Sequence, residues 1–316
     1  MGFGQGTGRD YLMSHAGTEN AEWAFAAYEA TRHRLPVASF PTHSRKVGDL
    51  SELADDIDLF LLDAFGVLNT GDQVIPGAPQ RVAQLRDMGK KVLVVSNAAG
   101  YPKRNLLAHY HKLGFDFAPE DVLSSREVLL AALSDLKPLH FGLMASEEWG
   151  RDELDHLGFE FLGDDPAVYD RAERIVMLGS GAWSDHRQGV LEASLIARPR
   201  PVLVGNPDIV APRVSGLSRE PGYYAHRIAD LTGIVPQFFG KPFGPVFERA
   251  LARAGQGIDP ARIVMVGDTL QTDILGGRAA GLKTALITGF GALRGMDADG
   301  AIARSGIVPD YVMAGP

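Results

Sequence analysis

The chain has no cysteine among its 316 residues. This absence excludes a disulfide, a thiolate nucleophile and a metal site with cysteine ligands, and it fits the reducing environment of the cytoplasm. Positive charge is not in excess either, since the formal net charge is -8 at pH 7. An acidic chain offers no basic surface to nucleic acid, so we expect no nucleic-acid partner.

Long apolar runs are also missing. No stretch approaches the roughly 20 residues that a membrane-spanning helix needs, and the N-terminal segment MGFGQGTGRDYLMSHAGTEN lacks the apolar core of a secretory signal. The N-myristoylation pattern fails because position 6 is glycine. We therefore expect a cytoplasmic protein with no membrane partner.

An extension over residues 1–45 precedes the regular part of the sequence. Residues 1–18 are rich in glycine and predict a flexible segment, and Ala21–Arg34 predicts an amphipathic helix that Pro36 ends. The residues on its predicted apolar face are Trp23, Ala26, Ala27 and Ala30. The extension either packs on its own subunit or takes part in a homodimer.

The rest of the chain alternates strand-like and helix-like segments, which is typical of an α/β protein with a doubly wound parallel sheet. Short continuous apolar runs predict strands that are buried on both faces. The five runs are Asp58–Leu62, Lys91–Val95, Pro236–Phe239, Arg262–Val266 and Lys283–Ile287. Four of them lead into polar residues, and ligands of such sheets lie beyond the carboxyl ends of the strands. We therefore expect these polar side chains to converge at one site.

The chain between Asn97 and Lys241 is far longer than one crossover between parallel strands requires. It contains an α/β pattern of its own, with strand-like runs near 139–145, 159–163, 174–179 and 201–205 and helix-like segments near 147–157 and 185–197. The pattern predicts a second domain inserted into the first. The expected division is an extension over 1–45, a core over 46–128 and 213–316, and an inserted cap over 129–212.

Two motifs in the first half carry candidate chemistry. LFLLDAFGVLNTG (59–71) places Asp63 at a strand end. VVSNAAG (94–100) offers the hydroxyl of Ser96, the amide of Asn97 and backbone N–H groups to an anion. Each motif alone is more typical of a helix cap or a turn.

Two further motifs lie near the C-terminus. FFGKPFGPVFERAL (238–251) contains Lys241, whose charge would balance clustered carboxylates and a phosphate. VMVGDTLQTDILGGRAAG (264–281) places Asp268 and Asp273 together, and two close carboxylates repel each other unless a cation is present. Oxygen ligands without cysteine favour Mg²⁺ over zinc.

In this order and spacing the four motifs resemble the haloacid dehalogenase superfamily, over about residues 57–313. The closer resemblance is to class IIA, whose members include nitrophenylphosphatase-like and sugar-phosphatase-like enzymes with a large C2-type cap. VIPGAP (74–79), PEDVLSS (119–125) and GNPD (205–208) add to it. The resemblance implies a Rossmannoid core with a C2-type cap, Mg²⁺ as cofactor, and hydrolysis of a small, sugar-phosphate-like metabolite.

The resemblance also implies a role for each motif residue. Asp63 would attack phosphorus and carry an aspartyl phosphate, and Lys241 would neutralise the charge that it shares with the phosphate. The groups that would hold the phosphoryl group are Ser96, Asn97 and Lys241. The groups that would hold Mg²⁺ are Asp63, the backbone carbonyl of Phe65, Asp268 and, in support, Asp273.

Phe65 departs from the family pattern. The phosphatases that the motif resembles have an aspartate here, which protonates the leaving oxygen and later activates water; such help is worth roughly 10²–10⁴-fold in rate. Three interpretations stay open: a phosphatase with a good leaving group or another proton donor, a different reaction such as phosphonate cleavage, and a binding or regulatory protein. The first predicts that activated aryl phosphates react far faster than alkyl phosphates. Its candidate donors in the cap are Glu147, Asp185, His186 and Arg187.

The cap is expected to exclude water and to choose the substrate. Candidate contact residues are Trp183, His186, Arg187, Asn206 and Asp208. Trp183 would stack on an apolar group and the His-Arg pair would bind an anion, although core packing and solvation are the commoner roles of such residues. GNPD suits a turn that supports the hinge, with substrate contact as the alternative.

Overall fold

The computed structural model describes residues 20–136, 139–213, 216–255 and 257–316. The flexible segment predicted over residues 1–18 lies outside them. In chain order the strands are β1 (Arg45–Lys46), β2 (Leu59–Leu62), β3 (Asn69–Thr70), β4 (Gln73–Val74), β5 (Lys91–Ser96), β6 (Val122–Ser124), β7 (His140–Met144), β8 (Gly158–Phe161), β9 (Arg174–Met177), β10 (Val202–Val204), β11 (Val210–Arg213), β12 (Gly216–Arg219), β13 (Gln237–Phe238), β14 (Ile263–Gly267), β15 (Lys283–Ile287) and β16 (Tyr311–Met313).

The α-helices of the same residues are α1 (Ala21–Ala30), α2 (Ala78–Asp87), α3 (Lys103–Lys112), α4 (Ser125–Ser134), α5 (Glu147–Gly150), α6 (Pro166–Arg171), α7 (Asp185–Ala197), α8 (Pro221–Thr232), α9 (Gly244–Ala254), α10 (Leu275–Ala279) and α11 (Ala298–Ser305). A π-helical turn over Leu270–Ile274 precedes α10. None of the helices in the described ranges is long and apolar enough to cross a membrane.

Seven parallel strands form the core sheet, in the order β1-β16-β15-β14-β2-β5-β6. Along β2, Phe60 and Leu62 pack in one apolar cluster with residues of α2 and α3, whereas Leu59 and Leu61 pack in another with residues of α9. This alternation is that of a strand covered by helices on both faces. The predicted doubly wound α/β core is confirmed, and four of the five apolar runs lie in it as the neighbours β15, β14, β2 and β5.

The fifth run belongs to another sheet, so the prediction of a core strand over Pro236–Phe239 is wrong. Its strand β13 pairs in parallel with β10, with Val204 opposite Phe238. Together they belong to a five-stranded parallel sheet in the order β13-β10-β9-β7-β8. An apolar run indicates that a strand is buried but does not indicate which sheet the strand joins.

The inserted unit is built around this second sheet. Strands β7 to β10 lie where the sequence predicts them and α7 spans the predicted Asp185–Ala197, but the helix expected near 147–157 is only the single turn α5. Helix α8 packs in the same apolar cluster as β9 and β10. Since α8 and β13 lie beyond residue 212, the expected end of the cap, we propose that the cap continues through β13.

Helix α1 packs against both units. It ends at Ala30, and a 3₁₀ turn continues to Arg34. The buried residues are Ala24, Phe25, Ala27 and Tyr28, whereas Trp23, Ala26 and Ala30 of the predicted face are half-buried. Of the four buried residues, Phe25 packs in a cluster of core side chains, whereas Ala24, Ala27 and Tyr28 pack among cap side chains. We refer to Ala21–Ala30 as the strap, because it joins the cap to the core.

Candidate active site

Asp63 lies at the carboxyl end of β2, in the middle of the core sheet. Its backbone N–H donates to the carbonyl of Val266 on β14 at 2.9 Å, which extends the strand pairing by one residue. The side chain is buried. Burial raises the pKa of Asp63 to about 6, against the opposite effect of Lys241.

Lys241 joins two of the expected carboxylates. Its Nζ lies 2.5 Å from Asp63 Oδ1 and 2.7 Å from Asp273 Oδ1. Burial by itself lowers the pKa of Lys241, but the carboxylates of Asp273 and Asp63 outweigh it and hold the pKa above its ordinary value. The ammonium is therefore charged and fixed beside Asp63, although the strand that precedes Lys241 belongs to the cap sheet.

Asp268 and Asp273 complete a buried carboxylate cluster with Asp63. An oxygen from each of the three lies within 4.8 Å of the others. Asp268 accepts hydrogen bonds from the backbone N–H of Ala292 at 2.6 Å and from Thr269 Oγ1 at 2.9 Å. Burial raises the pKa of Asp268, and Asp273 and Asp63 raise it further.

The cluster fits a hard divalent cation. Three carboxylates against the single ammonium of Lys241 leave two negative charges in a buried site, which is costly without a counter-ion. All the donors are oxygens, which is the ligand set that Mg²⁺ takes in proteins. Charge and donor type thus agree with the predicted metal residues.

Two glycines make room for Asp268. Gly66 and Gly291 have φ values of +77° and +74°, and a Cβ on either would lie 2.5 Å or 1.8 Å from atoms of the Asp268 side chain. Glycine is required there both for the left-handed backbone and for the close approach. The turn after Asp63 and the turn before Ala292 are therefore shaped around the Asp268 carboxylate.

Phe65 lies in the turn between Asp63 and β3. Its side chain is half-buried, packs against the core cluster and lines the cavity above Asp63. A phenyl ring has no proton to exchange, so Phe65 adds an apolar surface to the cavity. The ligation of Mg²⁺ by the Phe65 carbonyl stays a prediction.

Ser96 is buried in the wall of the cavity. Its Oγ accepts from the backbone N–H of Ala98 at 3.2 Å and is hydrogen-bonded to the side chain of Tyr110. Burial raises the pKa of Tyr110, so that hydroxyl keeps its proton. The Ser96 hydroxyl lies in the wall of the same cavity as Asp63 and Lys241. This arrangement supports the predicted phosphate contact.

Asn97 uses its side chain inside the protein. Its Nδ2 donates to Asp208 Oδ1 at 2.8 Å and to the Lys241 carbonyl at 3.0 Å, and its Oδ1 accepts from the Lys241 N–H at 2.7 Å. Both amide protons are therefore engaged. The side chain holds Asp208 and Lys241 in position, and only the backbone of Asn97 remains for the predicted phosphate contact.

A cavity of about 320 Å³ lies above the carboxylates, between the core and the cap. Among the described residues, its wall includes Asp63, Phe65, Ser96, Asn97, Lys241 and Asp268 from the predicted site, Asn206 and Asp208 from the GNPD turn, and Tyr28, Tyr101, Trp149 and Glu220, which the sequence did not single out. Tyr28 was inside a predicted helix, but only the packing of the strap shows that it reaches the cavity. Local patterns carry no signal for such distant contacts.

Asn206 and Asp208 lie in the wall of the cavity. Asn206 Nδ2 donates to Glu220 Oε2 at 3.1 Å, and Asn206 Oδ1 accepts from the Asp208 N–H at 3.0 Å. The turn is thus hydrogen-bonded as predicted for a structural support, and it also exposes a carboxyl group to the cavity. Burial raises the pKa of Asp208 to about 8.

The other cap candidates lie elsewhere. Trp183 Nε1 donates to Gln188 Oε1 at 2.9 Å and its ring packs against the cap cluster. Arg187 forms a two-pronged ion pair with Asp164, at 2.8 and 3.1 Å. His186 is exposed. None of these three lines the cavity in the part of the chain that the structure describes, nor do Glu147 and Asp185, the remaining candidate proton donors.

Comparison with known proteins gives the same assignment as the site. The family model described as haloacid dehalogenase-like hydrolase matches residues 60–160, and a HAD-hydrolase-like model matches residues 238–314. Chronophin of Rattus norvegicus is 31% identical over 266 residues, which cover 79% of this chain and 83% of that protein.

Solved structures of phosphatases are similar to this chain as well. A possible sugar phosphatase of the HAD superfamily from Cytophaga hutchinsonii is 26% identical, with a TM-score of 0.73 over 86% of this chain and 98% of that one. Glycerol phosphate phosphatase from Mycobacterium tuberculosis, in complex with magnesium, is 26% identical, with a TM-score of 0.65 over 82% of this chain and 75% of that one. The chain therefore belongs to the haloacid dehalogenase-like hydrolases, and within them to class IIA.

Proposed function

We propose that the protein is a Mg²⁺-dependent phosphatase that hydrolyses a small phosphorylated metabolite through an aspartyl phosphate on Asp63. The observation that carries the proposal is the buried contact of Lys241 with both Asp63 and Asp273 beside Asp268. The relatives named as phosphatases, one of them in complex with magnesium, support the same reaction and the same metal.

The proposed reaction uses Asp63 as a nucleophile. One of its oxygens attacks phosphorus, the bond from phosphorus to the leaving oxygen breaks, and the phosphoryl group is carried on Asp63 until water hydrolyses it. Lys241 and the hydroxyl of Ser96 stabilise the charge on the phosphoryl oxygens. Bound Mg²⁺ would neutralise the carboxylates and orient the phosphate.

The size of the cavity supports a small substrate. A volume of about 320 Å³ is at the lower end of the roughly 300–1,000 Å³ that is usual for small-molecule sites. Its walls include the aromatic rings of Tyr28 and Trp149 as well as the polar residues Asn206 and Glu220. A metabolite of a few carbons with one phosphate matches this mixture of surfaces.

The test is phosphate release from a panel of small phosphate esters, with and without Mg²⁺, by the wild type and by Asp63→Asn. We expect release that depends on Mg²⁺ and that falls by at least about 10³-fold in the variant, because the nucleophile is removed. Equal rates in both proteins would exclude the aspartyl phosphate. A biological activity that survives Asp63→Asn would favour a binding or regulatory role instead.

A further inference from the structure

Phe65 leaves the departing oxygen without its usual proton donor, but the cavity contains other carboxyl groups. Among the described residues they are Asp63, Asp208, Glu220 and Asp268. Two of these belong to the nucleophile and metal cluster. Glu220 is held on both oxygens, since Oε1 accepts from Ser218 Oγ at 2.7 Å and Oε2 accepts from Asn206 Nδ2 at 3.1 Å.

We propose that Asp208 is the general acid and base of the reaction, in place of the carboxyl that position 65 lacks. This inference rests on the proposed phosphatase function and adds the group that protonates the leaving oxygen. It assigns a catalytic role to a turn of the cap rather than to the loop that follows the nucleophile.

The geometry holds one oxygen of Asp208 and leaves the other open. Oδ1 accepts from Asn97 Nδ2 at 2.8 Å, and the same amide is bonded to the backbone of Lys241, whose Nζ contacts Asp63. The carboxyl is thereby tied to the groups around the nucleophile. Oδ2 has no hydrogen bond within the described ranges and is not among their buried unpaired atoms. It therefore faces the cavity that Asp208 lines.

The surroundings keep Asp208 protonated. Burial raises its pKa to about 8, and Asp63 and Asp273 act in the same direction, against the hydrogen bond from Asn97 and the charge of Lys241. Tyr28 and Glu220 are the other ionisable groups that line this side of the cavity, and the pKa of Tyr28 is itself raised by burial and by Asp208. A carboxyl group that is neutral near pH 7 is able to donate a proton.

Asp208 alone accounts for both proton transfers of the reaction. As the bond from phosphorus to the ester oxygen breaks, Asp208 transfers its proton to that oxygen and the alcohol leaves. Asp208, now a carboxylate, takes a proton from the water that attacks the phosphorus of the aspartyl phosphate. The products are an alcohol, inorganic phosphate and the starting enzyme with Asp208 protonated again.

The test compares an activated aryl phosphate with an alkyl phosphate in the wild type and in Asp208→Asn, both with Mg²⁺. Nitrophenolate is a weak base and leaves as the anion, whereas the oxygen of an alkyl ester has to receive a proton as it leaves. We expect the variant to lose about 10²–10⁴-fold of its kcat for the alkyl phosphate, and to keep formation of the aspartyl phosphate from p-nitrophenyl phosphate, measured as a nitrophenol burst, within a few-fold. Asn preserves an acceptor for Asn97, so a purely structural role would change both substrates alike.

Two further variants sharpen the comparison. Phe65→Asp restores a carboxyl at the family position, and we expect it to raise alkyl-phosphate turnover strongly in the Asp208→Asn background and only slightly in the wild type. Glu220→Gln is the matched control, and we expect the ratio of aryl to alkyl rates to stay at the wild-type value. In the wild type, kcat/KM for the alkyl phosphate should fall above about pH 8, and this alkaline limb should be absent in Asp208→Asn.

The outcomes separate the inference from the proposed function. An equal loss in the rate at which the aspartyl phosphate forms from the two substrates in Asp208→Asn, or no rescue by Phe65→Asp, overturns the role of Asp208 while leaving the phosphatase intact. No hydrolysis of any ester above the Asp63→Asn background overturns both.

Discussion

Asp208 also ties the stability of the protein to pH. Its pKa is about 8 in the folded chain, chiefly because of burial, against an ordinary value of 3.8. Between these values the folded chain holds a proton that the unfolded chain releases, so the free energy of unfolding falls as the pH rises from about 4 to about 8. Asp208→Asn removes this penalty. We expect the variant to match the wild type near pH 4 and to exceed it by a few kcal/mol near pH 8, at about 1.4 kcal/mol per pKa unit.

Thermal unfolding of the metal-free proteins over this pH range measures the effect. Asp58→Asn is a control of opposite sign, since Arg262 holds the pKa of the half-buried Asp58 at about 2. That stabilisation is present above pH 3.8 and is lost as the pH falls through 2, so the control should lose stability at neutral pH. A constant difference between Asp208→Asn and the wild type from pH 4 to 8 would contradict the prediction.

Ser96 and Asn97 show how far single residues were predictable. The sequence correctly indicated that both lie at the end of a core strand. The sequence predicted one role for both residues, phosphate binding, whereas the hydrogen bonds of the Asn97 side chain occupy it inside the protein. The partners of Asn97 are 111 and 144 positions away, and no local pattern specifies a hydrogen bond over such a separation.

The strap packs against both the core and the cap, whose main sheets are separate. Phe25 packs with Leu270 and Ile274 of the core, and Gln271 Nε2 donates to Glu29 at 2.8 Å. On the cap side, the N–H of Ile209 donates to the hydroxyl of Tyr28 at 3.1 Å. A short helix is marginal by itself in water, so these contacts hold it in place.

We expect Phe25→Ala to release the strap. Removing a buried phenyl ring costs about 3–5 kcal/mol, which is enough to undock a helix of this length. Hydrogen exchange over residues 21–30 should become much faster, and KM should rise because Tyr28 and Ala24 form part of the cavity wall. Glu22→Gln is the control, since the Glu22–Arg304 ion pair is exposed and such pairs contribute about 0–1 kcal/mol. Unchanged exchange in Phe25→Ala would show that the strap is held by other contacts.

At the level of elements, the sequence predicted the positions of strands and helices better than the elements that they pack against. The predicted strands of both sheets and helix α7 lie where the apolar patterns place them. A buried strand or helix is marked by the spacing of apolar residues in its own sequence. The assignment of β13 to the core sheet was wrong, and the buried face of the strap differed from the predicted one. Both errors concern what an element packs against, which depends on tertiary contacts rather than on spacing.

At the scale of the whole molecule, the carboxylate cluster is a local instability that a cation should remove. A ligand that binds only the folded state raises the free energy of unfolding by about 2.7 kcal/mol at a concentration 100 times its Kd. We therefore expect the thermal midpoint to rise with Mg²⁺ concentration. Asp268→Asn should abolish the rise, because it removes one of the three clustered carboxylates. A wild-type midpoint that does not respond to Mg²⁺, and that Ca²⁺ and Mn²⁺ also leave unchanged, would contradict a divalent-cation site.

The amide of Asn97 has a mechanical consequence for the cap. It holds the turn that follows β10 and the segment that follows β13, and these two strands form one end of the cap sheet. A rigid body that turns about a fixed point moves least near that point and most at its far edge, which here is β8. Rotation of the cap about this point would therefore carry β8 through the widest arc, while Lys241 keeps its contact with Asp63 and Asp208 its hydrogen bond with Asn97. We therefore expect a movement of the cap about this point to open the cavity at its far side and to leave the contact between Lys241 and Asp63 unchanged.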